Sequence, residues 1–171
     1  MIKGKKVLNT CYLQLGSNEG DSLNTMKAAE EFIQQLIGEI VIKSSYYQSE
    51  PWGNSNLNWF LNRVIQVRTV LYPFQLLEVT QLIESRLGRE SKGGIDGRYA
   101  NRSMDIDILF YDNFIIRSKQ LTIPHDKIPH RRFVLKPFVE IFPQYIHPCL
   151  DKNVSYLLDN CQDNLKVVRM D

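Results

Sequence analysis

Cysteine is scarce and poorly placed for cross-linking. Cys11, Cys149 and Cys161 are odd in number, far apart and never arranged as C-x-x-C. That spacing suggests neither a disulfide framework nor a zinc site. Long apolar runs are missing too, since nothing approaches the roughly eighteen consecutive apolar residues of a membrane span. The start, Met1 to Lys6, is basic, but the next residues include Asn9, Thr10 and Gln14, so no secretory leader is expected. A reduced, cytoplasmic protein without membrane contact is the expectation. Nor is there an excess of one charge. The formal net charge of +2 argues against a globally basic nucleic-acid binder and leaves only local clusters of cations. Common catalytic motifs are absent as well. The chain has no G-x-x-x-x-G-K-[ST], no kinase H-R-D or D-F-G, no H-E-x-x-H and no G-x-S-x-G.

What is present is an ordinary globular composition, 43% apolar and 23% charged over 171 residues. This predicts a single domain over 1–171, long enough to build a core without staples. Val7 to Leu15 alternates as a strand and ends in the turn signal Gly16-Ser17-Asn18. Asp21 is placed to cap a helix with the apolar stripe Met26, Ala29, Ile33, Leu36 and Ile37, closed by Gly38. Glu39 to Gln48 reads as a second strand and Trp59 to Val70 as a third, with a polar loop between them. Pro73 opens a second helix along Leu76, Val79, Ile83 and Leu87, stopped by Gly88. A fourth strand follows Asn101. The order β-α-β-β-α-β predicts an α+β, ferredoxin-like fold, an antiparallel sheet with helices on one face. Helical pieces around Phe133–Phe142 and Val154–Asn160 add a C-terminal helical extension, and the tail after Cys149 carries no expected role.

The fourth strand, Arg102-Ser103-Met104-Asp105-Ile106-Asp107-Ile108-Leu109-Phe110, holds the strongest chemical signal. Alternation sets Asp105 and Asp107 on one face and Met104, Ile106, Ile108 and Phe110 on the other. Two residues of strand separate the acids by about 6.6 Å along the backbone, so their carboxylates can converge on a hard cation or a close pair of cations. Alone, D-x-D describes an ordinary half-buried strand, and its surroundings decide. Arg89, Lys92, Arg98 and Arg102 precede the acids; His125, Lys127, His130, Arg131 and Arg132 follow them. Acids that hold metal, beside arginines that offset further negative charge, suit phosphate chemistry. The glycine-rich stretch from Arg89 to Asn101 reads as a lid-like loop. Phe60 and Asn62 share a strand face, and a ring beside a carboxamide suits a flat nitrogen heterocycle; Phe133 could supply a second ring.

Together these segments resemble the 6-hydroxymethyl-7,8-dihydropterin pyrophosphokinase family. The resemblance is carried by Leu15-Gly16-Ser17-Asn18, by Ser44 to Gly53 and by Phe60-Leu61-Asn62. It continues through Glu84, Leu87-Gly88-Arg89, the D-x-D strand, Leu121-Thr122-Ile123-Pro124-His125 and Arg131 to Pro137. The resemblance implies transfer of pyrophosphate from ATP to a pterin alcohol in folate biosynthesis, by in-line attack on the β-phosphorus. It implies that Asp105 and Asp107 bind two Mg²⁺ ions, with Asp107 also approaching the pterin hydroxyl. Arg102 would stabilise the transferred group, and Arg89 and Arg98 would act from the loop. ATP would be met by Gln81, Glu84, Arg89, Arg102, Ile108, Thr122, His125 and Arg131. Phe60 and Phe133 would sandwich the pterin, with Asn62 and the backbone near Ser49 and Trp52 reading its edge. Tyr99 stands where the family's tryptophan is expected. The partners implied are small molecules, not nucleic acid, and the chain is expected to be a monomer.

Two other readings stay open on sequence alone. A ferredoxin-like RNA binder would stack bases on Phe60 and have no need of the acid pair. A metal-dependent phosphohydrolase would use the same acids without an acceptor.

Overall fold

A computed structural model describes residues 7–53, 56–88 and 102–170. Its centre is β1 (Asn9–Ser17), a strand buried on both faces and flanked by β4 (Phe60–Thr69) and β5 (Asp105–Tyr111), each antiparallel to it. Helix α1 (Ser22–Leu36) starts where Asp21 accepts the Asn24 backbone N–H at 3.1 Å, satisfying one of the donors a helix start leaves open. It turns into β2 (Gly38–Lys43) through Gly38, whose φ is +154°; a β-carbon there would sit 2.0 Å from the Arg68 carbonyl oxygen. Only glycine allows that approach.

One continuous strand was expected over Glu39–Gln48. Instead β2 and β3 (Tyr47–Ser49) line the same edge of β4, broken at Ser44–Tyr46. The break keeps its pairing by other means. Ser44 donates its N–H to the Val64 carbonyl at 2.9 Å and its hydroxyl accepts the Val64 N–H at 3.0 Å. Ser45 turns outward to the Glu140 carboxylate, held by its N–H at 2.9 Å and its hydroxyl at 2.7 Å.

Helix α2 (Pro73–Arg86) precedes β5, and two short hairpins follow, β6 (Ile116–Arg117) with β7 (Thr122–Ile123) and β8 (Ile146–His147) with β9 (Lys152–Asn153). Helix α3 (Arg132–Ile141) lies between the hairpins and α4 (Val154–Asp159) after them; β10 (Val167–Arg169) then pairs antiparallel with β3. The resulting sheet order is β10-β3-β4-β1-β5, with β2 beside β3 on β4. No helix among the described residues is long and apolar enough to cross a membrane.

Alternation along β1 divides the protein into two cores. Cys11, Leu13 and Leu15 pack with Met26, Ala29 and Ile33 of α1, Leu76 and Ile83 of α2, and Ile106 and Ile108 of β5. Tyr12 and Val64 face the other way, onto Val134, Leu135 and Phe138 of α3 and Val154 and Leu157 of α4. The helical extension thus covers the second face of the sheet. Phe110 joins this second core, where an aromatic set with Tyr12, Phe138 and Tyr145 has centroids 4.7–6.1 Å apart. Strict alternation would have sent Phe110 the other way. The register slips by one residue, Leu13 opposite Ile108 but Tyr12 opposite Phe110, so a bulge at Leu109 reverses the faces beyond it.

An ionic cluster ties α1 to the sheet. Glu30, 9% exposed at its side chain, accepts from Lys43 Nζ at 2.5 Å and from Arg63 Nη1 at 2.7 Å. The Arg63 guanidinium stacks 3.6 Å from the Tyr46 ring centroid. Burial opposes the Glu30 charge, but the bonds from Lys43 and Arg63 prevail and hold the carboxyl below its ordinary value. The sign follows: a depressed pKa contributes stability that is full above the ordinary value of 4.5 and lost as pH falls through the folded value. Glu30→Gln should therefore lower stability at neutral pH by on the order of 3 kcal/mol, because Arg63 is left buried without its counter-charge. Paired thermal melts should converge with wild type as the medium is acidified below the carboxylate range. Equal melting temperatures at neutral pH would remove the role assigned to this cluster.

Candidate functional site

The helices α3 and α4 leave one end of the second sheet face open, and a pocket of about 580 Å³ lies there. Cross-strand register builds its floor. Gly16 of β1 sits between Asn62 of β4 and Asp105 of β5, and Gln14 lies opposite Asp107. These residues share a face because each is an even number of positions from its neighbour on the same strand, on the side of the bulge before the slip. Trp52, Leu57 and Phe60 line it with apolar surface, and Arg102, Arg131 and Phe133 complete the lining. Ring, carboxamide and acid pair are thus brought together, as the sequence predicts. Phe60, Phe133, Asn62, Ser49, Trp52, Arg102, Arg131, Asp105 and Asp107 all line this one pocket.

Each acid is met by an arginine. Arg102 Nη1 donates to Asp105 Oδ2, and Arg131 Nη1 donates to Asp107 Oδ2 at 3.0 Å. Arg131 is held in place by rings, its guanidinium 5.3 Å from the Trp52 centroid and 5.5 Å from that of Phe133. Arg102 is positioned by the end of β1. Asn18 Oδ1 accepts the Arg102 N–H at 2.7 Å, and the Asn18 N–H reaches the Arg102 carbonyl at 3.0 Å. The same asparagine exchanges side-chain bonds with the backbone and amide of Asn58. So Gly16-Ser17-Asn18 is more than a turn, because it fixes both the arginine and the entry to β4.

His125 Nε2 stands 3.8 Å from Asp107 Oδ2. Its Nδ1 accepts the Lys127 N–H at 3.2 Å, which puts the proton of the neutral ring on Nε2, toward the acid. Burial pushes this histidine below its ordinary pKa, against the pull of Asp107. Neutral imidazole that points an N–H at an anionic site can donate there without adding charge.

Other predicted nucleotide contacts lie apart from the pocket lining. Gln81 is exposed on α2, while Glu84 is buried and accepts the Ile106 N–H at 2.8 Å. The Ile108 side chain is in the core beneath α1 and α2, and Thr122 is half-buried on β7. Of these four, Glu84 bonds to the outer edge of β5. That edge is anchored at Ile106 by Glu84 and at Leu109, whose carbonyl accepts the His125 N–H at 3.0 Å. Arg89 and Arg98 lie outside the described residues.

Gln14, Gly16, Glu50 and Leu57 also line the pocket, and sequence reasoning did not single them out. For Gln14 there was a signal, a polar amide inside an otherwise apolar strand. For Glu50 the signal was absent, because its role depends on the tail. Glu50 donates its N–H to the Lys166 carbonyl at 3.0 Å, and its carboxylate accepts the Lys166 N–H at 2.7 Å. Asp163 Oδ2 accepts the Arg132 N–H at 3.0 Å, beside Arg131 and Phe133. Lys136 Nζ reaches the Val167 carbonyl at 2.8 Å. The segment from Asp163 to Arg169 thus straps the β3 rim of the pocket to the start of α3.

The donor set suits magnesium in a specific way. Among the described residues no group of three or more acidic, histidine or cysteine side chains could hold a metal by itself. Two carboxylates on one face fit hard cations that take their remaining oxygens from phosphate and water.

Residues 12–143 match the family model described as 7,8-dihydro-6-hydroxymethylpterin-pyrophosphokinase. A 2-amino-4-hydroxy-6-hydroxymethyldihydropteridine pyrophosphokinase of Porphyromonas gingivalis is 39% identical over 138 residues, 80% of this chain and 92% of that protein. The protein of the same description in Aquifex aeolicus is 38% identical over 143 residues, covering 84% and 86%. Among solved structures, wild-type HPPK-DHPS of Plasmodium falciparum superposes with a TM-score of 0.71 at 18% identity, over 90% of this chain. This chain spans 45% of that longer one, and the likeness is one of fold.

Proposed function

The chain belongs to the 7,8-dihydro-6-hydroxymethylpterin-pyrophosphokinase family, and from that premise we propose that it transfers pyrophosphate from ATP to 6-hydroxymethyl-7,8-dihydropterin, releasing AMP. The observation that carries this reading is the acid pair, each member joined to an arginine, on the floor of a pocket walled by Phe60 and Phe133. A flat slot beside a polyanion site suits a planar heterocycle brought next to a polyphosphate.

The pterin ring lies between Phe60 and Phe133, where its faces bury apolar surface and its edge meets Asn62 and Ser49. Its hydroxymethyl group then points along the floor toward Asp105 and Asp107. Asp105 and Asp107 would hold magnesium, which would supply positive charge to offset the phosphates. The rest is done by the chain's own side chains. Arg102 and Arg131 turn from the carboxylates to phosphate oxygens, and His125 donates its Nε2 proton as a hydrogen bond without needing to be charged. The adenine end lies along the outer edge of β5, where the Ile108 backbone sits between the two anchored points and Thr122 borders it. Arg89 and Arg98 add charge from the segment before Arg102. The hydroxymethyl oxygen bonds to the β-phosphorus as the bond from that phosphorus to the α-phosphate oxygen breaks, in line; AMP leaves and the hydroxyl proton passes to water. Catalysis comes from holding two substrates in this geometry and offsetting charge, with no covalent enzyme intermediate.

One assay tests this. ATP and Mg²⁺ should yield almost no AMP until the pterin alcohol is added, and then AMP and the pterin diphosphate in equal amounts. AMP or phosphate release that ignores the acceptor would favour a hydrolase and overturn the proposal.

A further inference from the structure

Gln14 occupies a place where a polar side chain is poorly served. It is 3% exposed, on the central strand, and its Oε1 is buried without a hydrogen-bond donor among the described residues. An apolar residue of similar size would avoid the cost of that orphan acceptor. The amide nitrogen, by contrast, is fully used. Nε2 donates to the Leu15 carbonyl at 2.9 Å and to Asn62 Oδ1 at 3.0 Å. Asn62, 1% exposed, passes the polarity on, its Nδ2 donating to Ser49 Oγ at 2.9 Å and, at 3.3 Å, to the Phe60 carbonyl.

A backbone carbonyl can only accept, so Leu15 fixes which end of the Gln14 amide faces Asn62. That end carries N–H groups, so Asn62 must turn its oxygen toward Gln14; a flipped amide would set donor against donor. With both Nδ2 hydrogens committed, Asn62 offers the pocket only the second lone pair of Oδ1. This oxygen faces Gly16, where a β-carbon would lie 3.5 Å from it. Ser49 Oγ already accepts from Asn62, so its own O–H is turned outward as a donor. The floor therefore presents an acceptor beside Gly16 and a donor at Ser49, in that order.

We infer that Gln14 is a positioning residue that sets this order and with it the choice of heterocycle, favouring a ring that presents an N–H donor to Asn62 and an acceptor to Ser49. The inference rests on reading the pocket as a pterin site. A 2-amino-4-oxo ring meets both demands. With the 2-amino group at Asn62 and N1 at Ser49, a 2-oxo counterpart, which also carries N1–H, sets an oxygen against Asn62 and a donor against Ser49.

The experiment compares the wild-type chain with Gln14→Leu and Gln14→Met, using ATP, Mg²⁺ and either 6-hydroxymethyl-7,8-dihydropterin or its 2-oxo analogue. Both variants should raise the pterin KM about tenfold or more and reduce the preference over the 2-oxo ring by a similar factor, because Asn62 is released to flip. The KM for ATP should stay within about twofold, since the Gln14 side chain bonds to Leu15 and Asn62 and not to Asp107 or the arginines. Melting temperatures should be unchanged or higher, a result that a merely structural glutamine would not give. Unchanged pterin KM and ring preference in both variants would overturn the inference. So would collapse of the melting transition in both, which would make Gln14 a structural residue. Failure of the wild type to form AMP with the pterin would instead sink the functional reading beneath it.

Discussion

Asp107→Ala should reduce pterin-dependent AMP formation by at least about 10³-fold, while the melting temperature moves by no more than a few degrees. The activity loss follows from the loss of one of two anionic ligands in a site that must gather a polyphosphate, an effect of several kcal/mol. The mild effect on folding follows from placement. Asp107 is 28% exposed at its side chain and points into the pocket, whereas Ile106 and Ile108 beside it carry the strand's core contacts. Its bond to Arg131 is partly open to solvent, and such pairs contribute about 0–1 kcal/mol. Asp107→Asn, equal in size, should lose activity almost as fully, which separates charge from volume. Near-normal turnover in either variant with ATP and Mg²⁺ would remove Asp107 from the site.

Arg102→Ala should act on a different quantity. Its kcat should fall by about 10²-fold or more while ATP affinity changes less than about fivefold, because the guanidinium offsets charge that is largest during transfer. A second readout follows from the bond that Arg102 donates to the Asp105 carboxylate. A divalent cation at this acid competes with that guanidinium for the same charge. In the nucleotide-free protein, Arg102→Ala should therefore bind Mn²⁺ more tightly than wild type, as measured by the spin signal of free manganese. An unchanged kcat would end the proposed role in transfer, and unchanged manganese binding would end the competition.

The features legible in the sequence were those encoded within a few residues of one another. Asp105 with Asp107 and Phe60 with Asn62 are i, i+2 pairs, and the strand period alone puts each on one face. Helix α1 announces itself by Asp21 and by the spacing of Met26, Ala29 and Ile33, all of which are fully buried or capping as expected. Misplaced features are set across strands. The bulge at Leu109 depends on how β5 is paired with β1, and nothing inside Ile108-Leu109-Phe110 marks it. The break at Ser44–Tyr46 depends on Val64 and on Glu140, which is 95 residues away from Ser45. Gln14 is a lone amide in the apolar stretch of β1, and its side-chain partner Asn62 is 48 residues on. The residues of the Arg89–Asn101 stretch lie outside the described structure, so their expected contacts remain part of the proposal.

The strap from Asp163 to Arg169 has a consequence for the order of events during synthesis. Both cores and the acid pair are built from residues that leave the ribosome before it, and the family match itself covers 12–143. Yet the rim at Ser49 and Glu50 is paired to Val167 and Lys166, more than a hundred residues later. A growing chain can thus fold its sheet and bury its helices while one side of the pocket still lacks its last strand. Competence to hold the ring would come late and abruptly, when β10 reaches β3, so a nascent chain stopped before Asp163 would be folded at its centre and still unable to compete for substrate.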